Sequence, residues 1–350
     1  MRLPLIMAVL TTVPAIVGAC EARVESASPS ATATASATTS PGEPASPAPS
    51  ASSASSGPAS VGGSWSAGPA LPSARSEVAA TVLDGRLYVA GGFGPRRGTI
   101  LDELVVFDPA TGAWTTLAPL PEPRHHASLT ALGGRLFLTG GGVEGFAPRS
   151  NTWVYDPATD RWTALAPMPA SRRAHAAVAI DGVVYVVGGV VAGETLHAPT
   201  WAYDPVSGEW RTNLAALPTF REHLAAVVVD GAIVAVGGRG TQNVAAVERY
   251  DPTDDRWTAL PAMPTARSGL TAAVLDGAIH VIGGEDGERP RVFREHERFD
   301  PVTGTWTSAL PLDRGRHGLG SGVIDGALYV VAGGPTPDLS VSDRVDVYLP

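Results

Sequence analysis

Lysine is absent from the 350 residues, so all 25 basic side chains are arginine. That excludes Schiff-base catalysis and the phosphate-binding loops that need a lysine ammonium. Cysteine occurs once, at Cys20, and no disulfide can form within the chain. Positive charge is also scarce: the formal net charge is −9, and the first 62 residues carry three acids and two arginines, which leaves −8 on the remainder. Phosphate backbones attract positively charged surfaces, so no nucleic-acid partner is expected. The apolar run from Leu3 to Val17 is too short for a permanent membrane span, which needs roughly 20 residues.

Glycine (40) and proline (31) are plentiful, and they recur in register. Arg75, Arg124, Arg172, Arg221, Arg267 and Arg316 each precede by nine positions a small-residue turn: Asp84-Gly85, Gly133-Gly134, Asp181-Gly182, Asp230-Gly231, Asp276-Gly277 and Asp325-Gly326. Seven positions after each of the first five turns begins, a Gly-Gly pair opens at Gly91, Gly140, Gly188, Gly237 and Gly283. The sixth pair, Gly333-Gly334, stands one residue late and reads as a bulge. Phe107, Tyr155, Tyr203, Tyr250 and Phe299 then open aromatic-Asp-Pro triplets, each with a Trp seven positions on. A period of roughly 48 residues in six copies marks a stacked or circular repeat.

Each copy reads as four strands. In the first, Val78 to Leu83 and Leu87 to Ala90 flank Asp84-Gly85, a hairpin signal because both turn residues must take positive φ. Gly91-Gly92 ends the second strand where backbones crowd. The third strand runs from Leu104 to Phe107 and stops at Asp108-Pro109, because proline cannot donate to a continuing ladder. The fourth is centred on Trp114. Six such units predict an all-β, six-bladed propeller over 63–350. The last copy ends after its third strand, at Tyr348, whereas Ser64-Trp65-Ser66 is a fourth strand lacking a third. The ring is therefore expected to close by the N-terminal strand completing the last blade.

The double glycine, the Tyr followed seven positions on by Trp, and the Arg before the inner strand resemble the kelch repeat family. The resemblance implies this propeller and a binding face, but it does not specify a function. Leu349 departs from it, standing where Asp is expected.

Residues 1–20 combine a charged start, a short apolar segment and Val17-Gly18-Ala19-Cys20. This resembles the lipobox of bacterial lipoproteins, which implies acylation of Cys20 and anchoring on the outer side of the cytoplasmic membrane. Residues 21–62 are mostly Ser, Ala, Thr, Pro and Gly and read as a disordered tether, with a coil span of roughly 35–40 Å.

Chemistry is harder to place. The kelch-type copper radical oxidases need a Tyr crosslinked to Cys, and sialidase-type Asp boxes need a different spacing from Asp108 to Gly112, so both are excluded. No cofactor or metal is expected, although His125, His126, His175, His223 and His317 all fall within three residues of a repeat Arg. Glu285-Asp286-Gly287-Glu288 reads as a solvated loop. Trp153 and Trp201 stand where later copies have Glu248, Glu297 and Asp346, which fits interblade packing or an aromatic platform. The six repeat arginines are expected to bond carbonyls of the neighbouring blade or to ring one mouth of the channel as bidentate donors for carboxylates. Arg96, Arg97, Arg239, Arg289, Arg291, Phe93, Phe146 and Phe293 are the expected loop contacts on the same face. The leading reading is a non-catalytic module that binds a protein or glycan at the cell envelope. A carbohydrate-active kelch enzyme, such as a sialic-acid epimerase, and a structural surface protein are the alternatives.

Overall fold

The computed structural model describes residues 62–192 and 199–350; Cys20 and almost all of the expected tether lie outside them. Six four-stranded antiparallel sheets follow one another around an axis. In blade 1, strands a to d are Ala79–Leu83, Arg86–Ala90, Leu104–Asp108 and Ala113–Thr116. Asp84 (φ 49°) and Gly85 (φ 70°) supply the two left-handed residues of the a–b turn. Beyond its first residue strand b is buried on both faces in blades 1 to 5, and mostly so in blade 6, because it lies between neighbours. Tyr88 and Leu104 of blade 1, for example, pack with Leu136 and Tyr155 of blade 2.

Closure is as expected. Blade 6 consists of Gly320–Ile324, Ala327–Val331, Val345–Leu349 and the N-terminal strand Ser64–Ala67, with Trp65 opposite Tyr348. Trp114, Trp162, Trp210, Trp257 and Trp306 lie opposite their own strand-c aromatics in the same way. Each Trp indole donates to a carbonyl in the linker leaving the preceding blade. Trp65 does the same, to Leu310 at 2.7 Å, where Trp162 uses Ala118 at 3.1 Å.

The Gly-Gly pairs and the arginines explain one another. The second glycine of each pair donates its N–H to the carbonyl of the next blade's Arg, as Gly92 does to Arg124 (2.7 Å) and Gly284 to Arg316 (2.8 Å). A Cβ on Gly92 would lie 2.5 Å from the Ser76 carbonyl oxygen, so a side chain cannot fit. In blade 6 this donor is Gly333, bonded to Arg75 at 2.9 Å, and Ala332 takes the first position at φ 62°. The expected bulge is therefore absent: register is kept, with Ala in place of the first glycine.

The arginine side chains do not ring the mouth. All six are 0–1% exposed and run within their own blades to the carbonyl 16 residues on, as in Arg124 to Gly140 (3.1 Å) and Arg267 to Gly283 (2.8 Å). Strand c or the preceding linker supplies the counter-group: Glu103 for Arg75, Glu122 for Arg124, Glu248 for Arg221, Glu297 for Arg267 and Asp346 for Arg316. Trp153 and Trp201 lie over Arg124 and Arg172, the Arg172 guanidinium being 3.7 Å from the Trp201 ring centroid. Burial lowers the pKa of Arg316 to about 10 against the opposing field of Asp346, so it stays charged.

Two predictions follow from this packing. Glu297→Leu leaves Arg267 buried and unpaired and is expected to cost about 3–5 kcal/mol, whereas Arg267→Met with Glu297→Leu costs less; chemical denaturation of both variants checks it. The closing interface also buries a neutral pair, with His280 Nδ1 2.8 Å from His296 Nε2 and both rings against Tyr348. Burial pushes His280 down to about 4 and His296 to about 3. The unfolded chain therefore takes up protons first as pH falls below 6.5, and stability drops from there towards pH 3–4. His280→Tyr, the residue of Tyr88 and Tyr185 at this register, is expected to flatten that slope in denaturation titrations at stepped pH; an unaltered slope would refute the assignment.

Candidate functional site

The two residues after each repeat Arg do not repeat: Ser76-Glu77, His125-His126, Arg173-Ala174, Glu222-His223, Ser268-Gly269 and His317-Gly318. The second of each pair is left-handed, with φ between 51° and 61°, and its N–H donates to the corresponding carbonyl one blade back. Glu77 bonds to Gly318, His126 to Glu77, Ala174 to His126, His223 to Ala174, Gly269 to His223 and Gly318 to Gly269, at 2.8–3.1 Å. Six backbone hydrogen bonds thus close a ring across one end of the channel. Below it the wall is lined by small residues, among them Ala80, Ala177, Ala226 and Ala272.

Above the ring lies a cavity of about 230 Å³, with Glu77, His126, Arg173, Glu222, His223, Arg239, Glu285 and His317 among its polar lining and Phe93 and Phe146 as its aromatic wall. Arg239 crosses it, donating to Glu222 (3.0 Å), Glu285 (2.8 Å) and His223 Nε2 (3.3 Å). His317 Nε2 faces the Thr336 carbonyl at 3.1 Å, so it must donate, while Nδ1 faces Glu77 Oε1 (3.1 Å) and Glu285 Oε2 (3.4 Å). With acceptors on both nitrogens, His317 is an imidazolium. Burial opposes its charge, but the two carboxylates outweigh that and raise its pKa. Burial likewise opposes ionisation of Glu77 and Glu222. The neighbouring histidines, joined at Glu222 by Arg239, hold both well below the usual carboxylate range.

Glu222 Oε2 is buried without a hydrogen-bond partner, Arg173 standing off at 3.6 Å, and His223 Nδ1 also lacks one. Phe93 stacks on His125 at 4.3 Å, and Phe146, 43% exposed, forms the outer edge with Arg173 5.7 Å from its ring centroid.

Among the loop residues expected from the sequence, Arg239 and Phe146 line this cavity; Phe93 does so as a buried wall. Arg96, Arg97, Arg289 and Arg291 are exposed and lie outside its lining, Arg97 pairing with Asp338 at 2.8 Å. Phe293 is buried beneath Arg291 and is no exposed contact. Of the histidines, His126, His223 and His317 converge with His125 behind them; His175 is bonded into the wall by Thr139 Oγ1 (2.9 Å). Glu285 is not a solvated loop residue but a buried member of the site. Glu77, Glu222 and Arg173 were not anticipated. Their signal is the failure of the repeat directly after an otherwise invariant Arg.

A KLHDC2/KLHL20/DRC7 Kelch-repeats domain model matches residues 63–189 and 165–284, and a Kelch motif model matches 266–309. No curated protein matches. Among solved structures, "Structure of YjhT" superposes with a TM-score of 0.67 at 19% identity, covering 80% of this chain and 97% of that one, a likeness of fold alone. The repeat register, the six closed blades and the model matches together place this chain in the kelch repeat family.

Proposed function

We propose that this protein is a cell-envelope binding module that seats the end of an uncharged, hydroxyl-rich ligand, a terminal glycan residue, in the mouth cavity. The observation that carries this reading is the internal neutrality of the charged mouth. Glu77, Glu222 and Glu285 are offset by Arg173, Arg239 and the His317 imidazolium, and Asp338, which also lines the cavity, by Arg97. Such a site selects neither anions nor cations by field. It offers both acceptors and donors at short range, including the unpartnered Glu222 Oε2, and Phe146 gives an apolar edge for the C–H face of a sugar. The cavity, at about 230 Å³, is smaller than the roughly 300–1,000 Å³ of drug-sized pockets and suits one ring rather than a chain. An acidic peptide is disfavoured because the six repeat arginines are buried and already engaged.

The envelope location rests on the sequence of residues 1–20, with acylated Cys20 as the anchor and residues 21–62 as the spacer. A second reading, a carbohydrate-active enzyme, draws on the proton held between Glu77 and Glu285 by His317 close to the ionised Glu222, an acid and a base within one cavity.

Saturation-transfer NMR of the full chain against neutral and acidic monosaccharides tests both. Saturable binding of neutral sugars is expected, weakened at least tenfold by Phe146→Ala and by Glu222→Gln. Binding confined to acidic sugars, or unaffected by both substitutions, would sink the proposal, and conversion of a bound sugar would favour the enzyme.

A further inference from the structure

We propose that Glu77, His126 and His223 hold one divalent transition-metal ion, of the zinc or cobalt(II) class, at the floor of the mouth cavity. Three side chains from blades 1, 2 and 4 meet there because the hydrogen-bonded ring fixes their backbones at equivalent left-handed positions. One ligand atom from each lies within 4.8 Å of the other two. The imidazoles of His126 and His223 stand edge to face with centroids 4.7 Å apart, and Ala174 between them in sequence order contributes only a methyl group.

The hydrogen bonding around His126 shows why a cation belongs between these groups. His125 Nε2 faces the Val143 carbonyl at 3.1 Å and must donate to it. In the neutral ring that leaves Nδ1 of His125 as an acceptor, and its partner is Nδ1 of His126, which therefore carries the proton. His126 Nε2 is left with a lone pair, and it faces Glu77 Oε2 at 3.2 Å. Two acceptors in such contact repel unless a positive charge lies between them. The other oxygen of Glu77 is taken by His317 (3.1 Å), so Oε2 is the one free to coordinate.

His223 repeats the pattern. The lone pair is again on Nε2, which accepts from Arg239 at 3.3 Å, so the proton of the neutral ring sits on Nδ1, 3.3 Å from Glu222 Oε1. A ligating imidazole whose second nitrogen is fixed by a carboxylate or another acceptor is the usual outer arrangement of such centres. Ligands at about 2.0–2.2 Å from tetrahedral zinc stand roughly 3.3–3.5 Å apart, close to the spacing already present between His126 and Glu77. Two imidazoles and one carboxylate leave a fourth position open. The assignment does not rest on the glycan reading, whose charge balance describes the metal-free cavity.

The test is calorimetric titration of Zn2+ into the full chain after chelation and dialysis, with Co2+ absorption spectra in parallel. One equivalent is expected to bind, with a ligand-field spectrum of a low-symmetry four- or five-coordinate site. His126→Asn and Glu77→Gln should each lower affinity at least 100-fold, and His125→Phe by 10–100-fold through loss of the outer hydrogen bond. The Co2+ spectrum of the unaltered chain needs no variant and guards against misfolding. Absence of one-equivalent uptake, a purely octahedral aquo spectrum, or 15N NMR showing His126 doubly protonated at neutral pH without metal would overturn the proposal.

Discussion

Six amide N–H groups, one per blade, donate in the same rotational sense to the neighbouring blade's carbonyl, and the residues that do so are all left-handed. Four of the six are not glycine, and each costs about 1–2 kcal/mol in that conformation. A net hydrogen bond returns about 0.5–1.5 kcal/mol, so the ring roughly cancels its own strain. What holds it shut is packing outside it, namely strands a and b buried between blades and the Trp indoles bonded across each gap. The ring is a geometric consequence of six wedges meeting, and it fixes where the mouth side chains begin.

The buried arginines perform a related task further out. Each ties the end of strand b to strand c or to the preceding linker while its own carbonyl accepts from the preceding blade's glycine, so one residue links three segments. An unpaired guanidinium could not remain there, because desolvation of a lone buried charge costs several kcal/mol. The chain supplies two kinds of neighbour: a carboxylate beside Arg75, Arg124, Arg221, Arg267 and Arg316, and an indole face over Arg124 and Arg172. Trp153 and Trp201 are thus neither an anomaly nor an aromatic platform. They are indole faces laid over two of the buried guanidinium groups.

Blade number, strand order and closure were legible because they depend on residues whose backbone demands are narrow: Asp-Gly turns, paired glycines, proline after strand c. The arginines were legible as a set but not in their surroundings, since a regular spacing says nothing about which way a long side chain runs. Ala332 hid the register of blade 6, because a left-handed alanine leaves no mark in sequence and the following Gly-Gly is a decoy. The mouth was least legible. Glu77, Glu222 and Glu285 lie far apart along the chain and become neighbours only when the circle closes, so no local spacing connects them.

The hydrogen-bonded ring leaves two places where this chain has placed no side chain, Gly269 and Gly318, and they are not equivalent. A Cβ at Gly318 would lie 2.5 Å from the Glu77 carboxylate and 2.6 Å from its amide nitrogen, whereas at Gly269 nothing lies closer than 3.5 Å. The opening above the channel is therefore lopsided: filled along the arc from Glu77 to His223, closed by Glu77 at Gly318, and with room for a methyl group at Gly269. Any molecule entering along the axis meets that asymmetry first, so a sixfold scaffold presents a one-sided lock whose spare notch sits in blade 5.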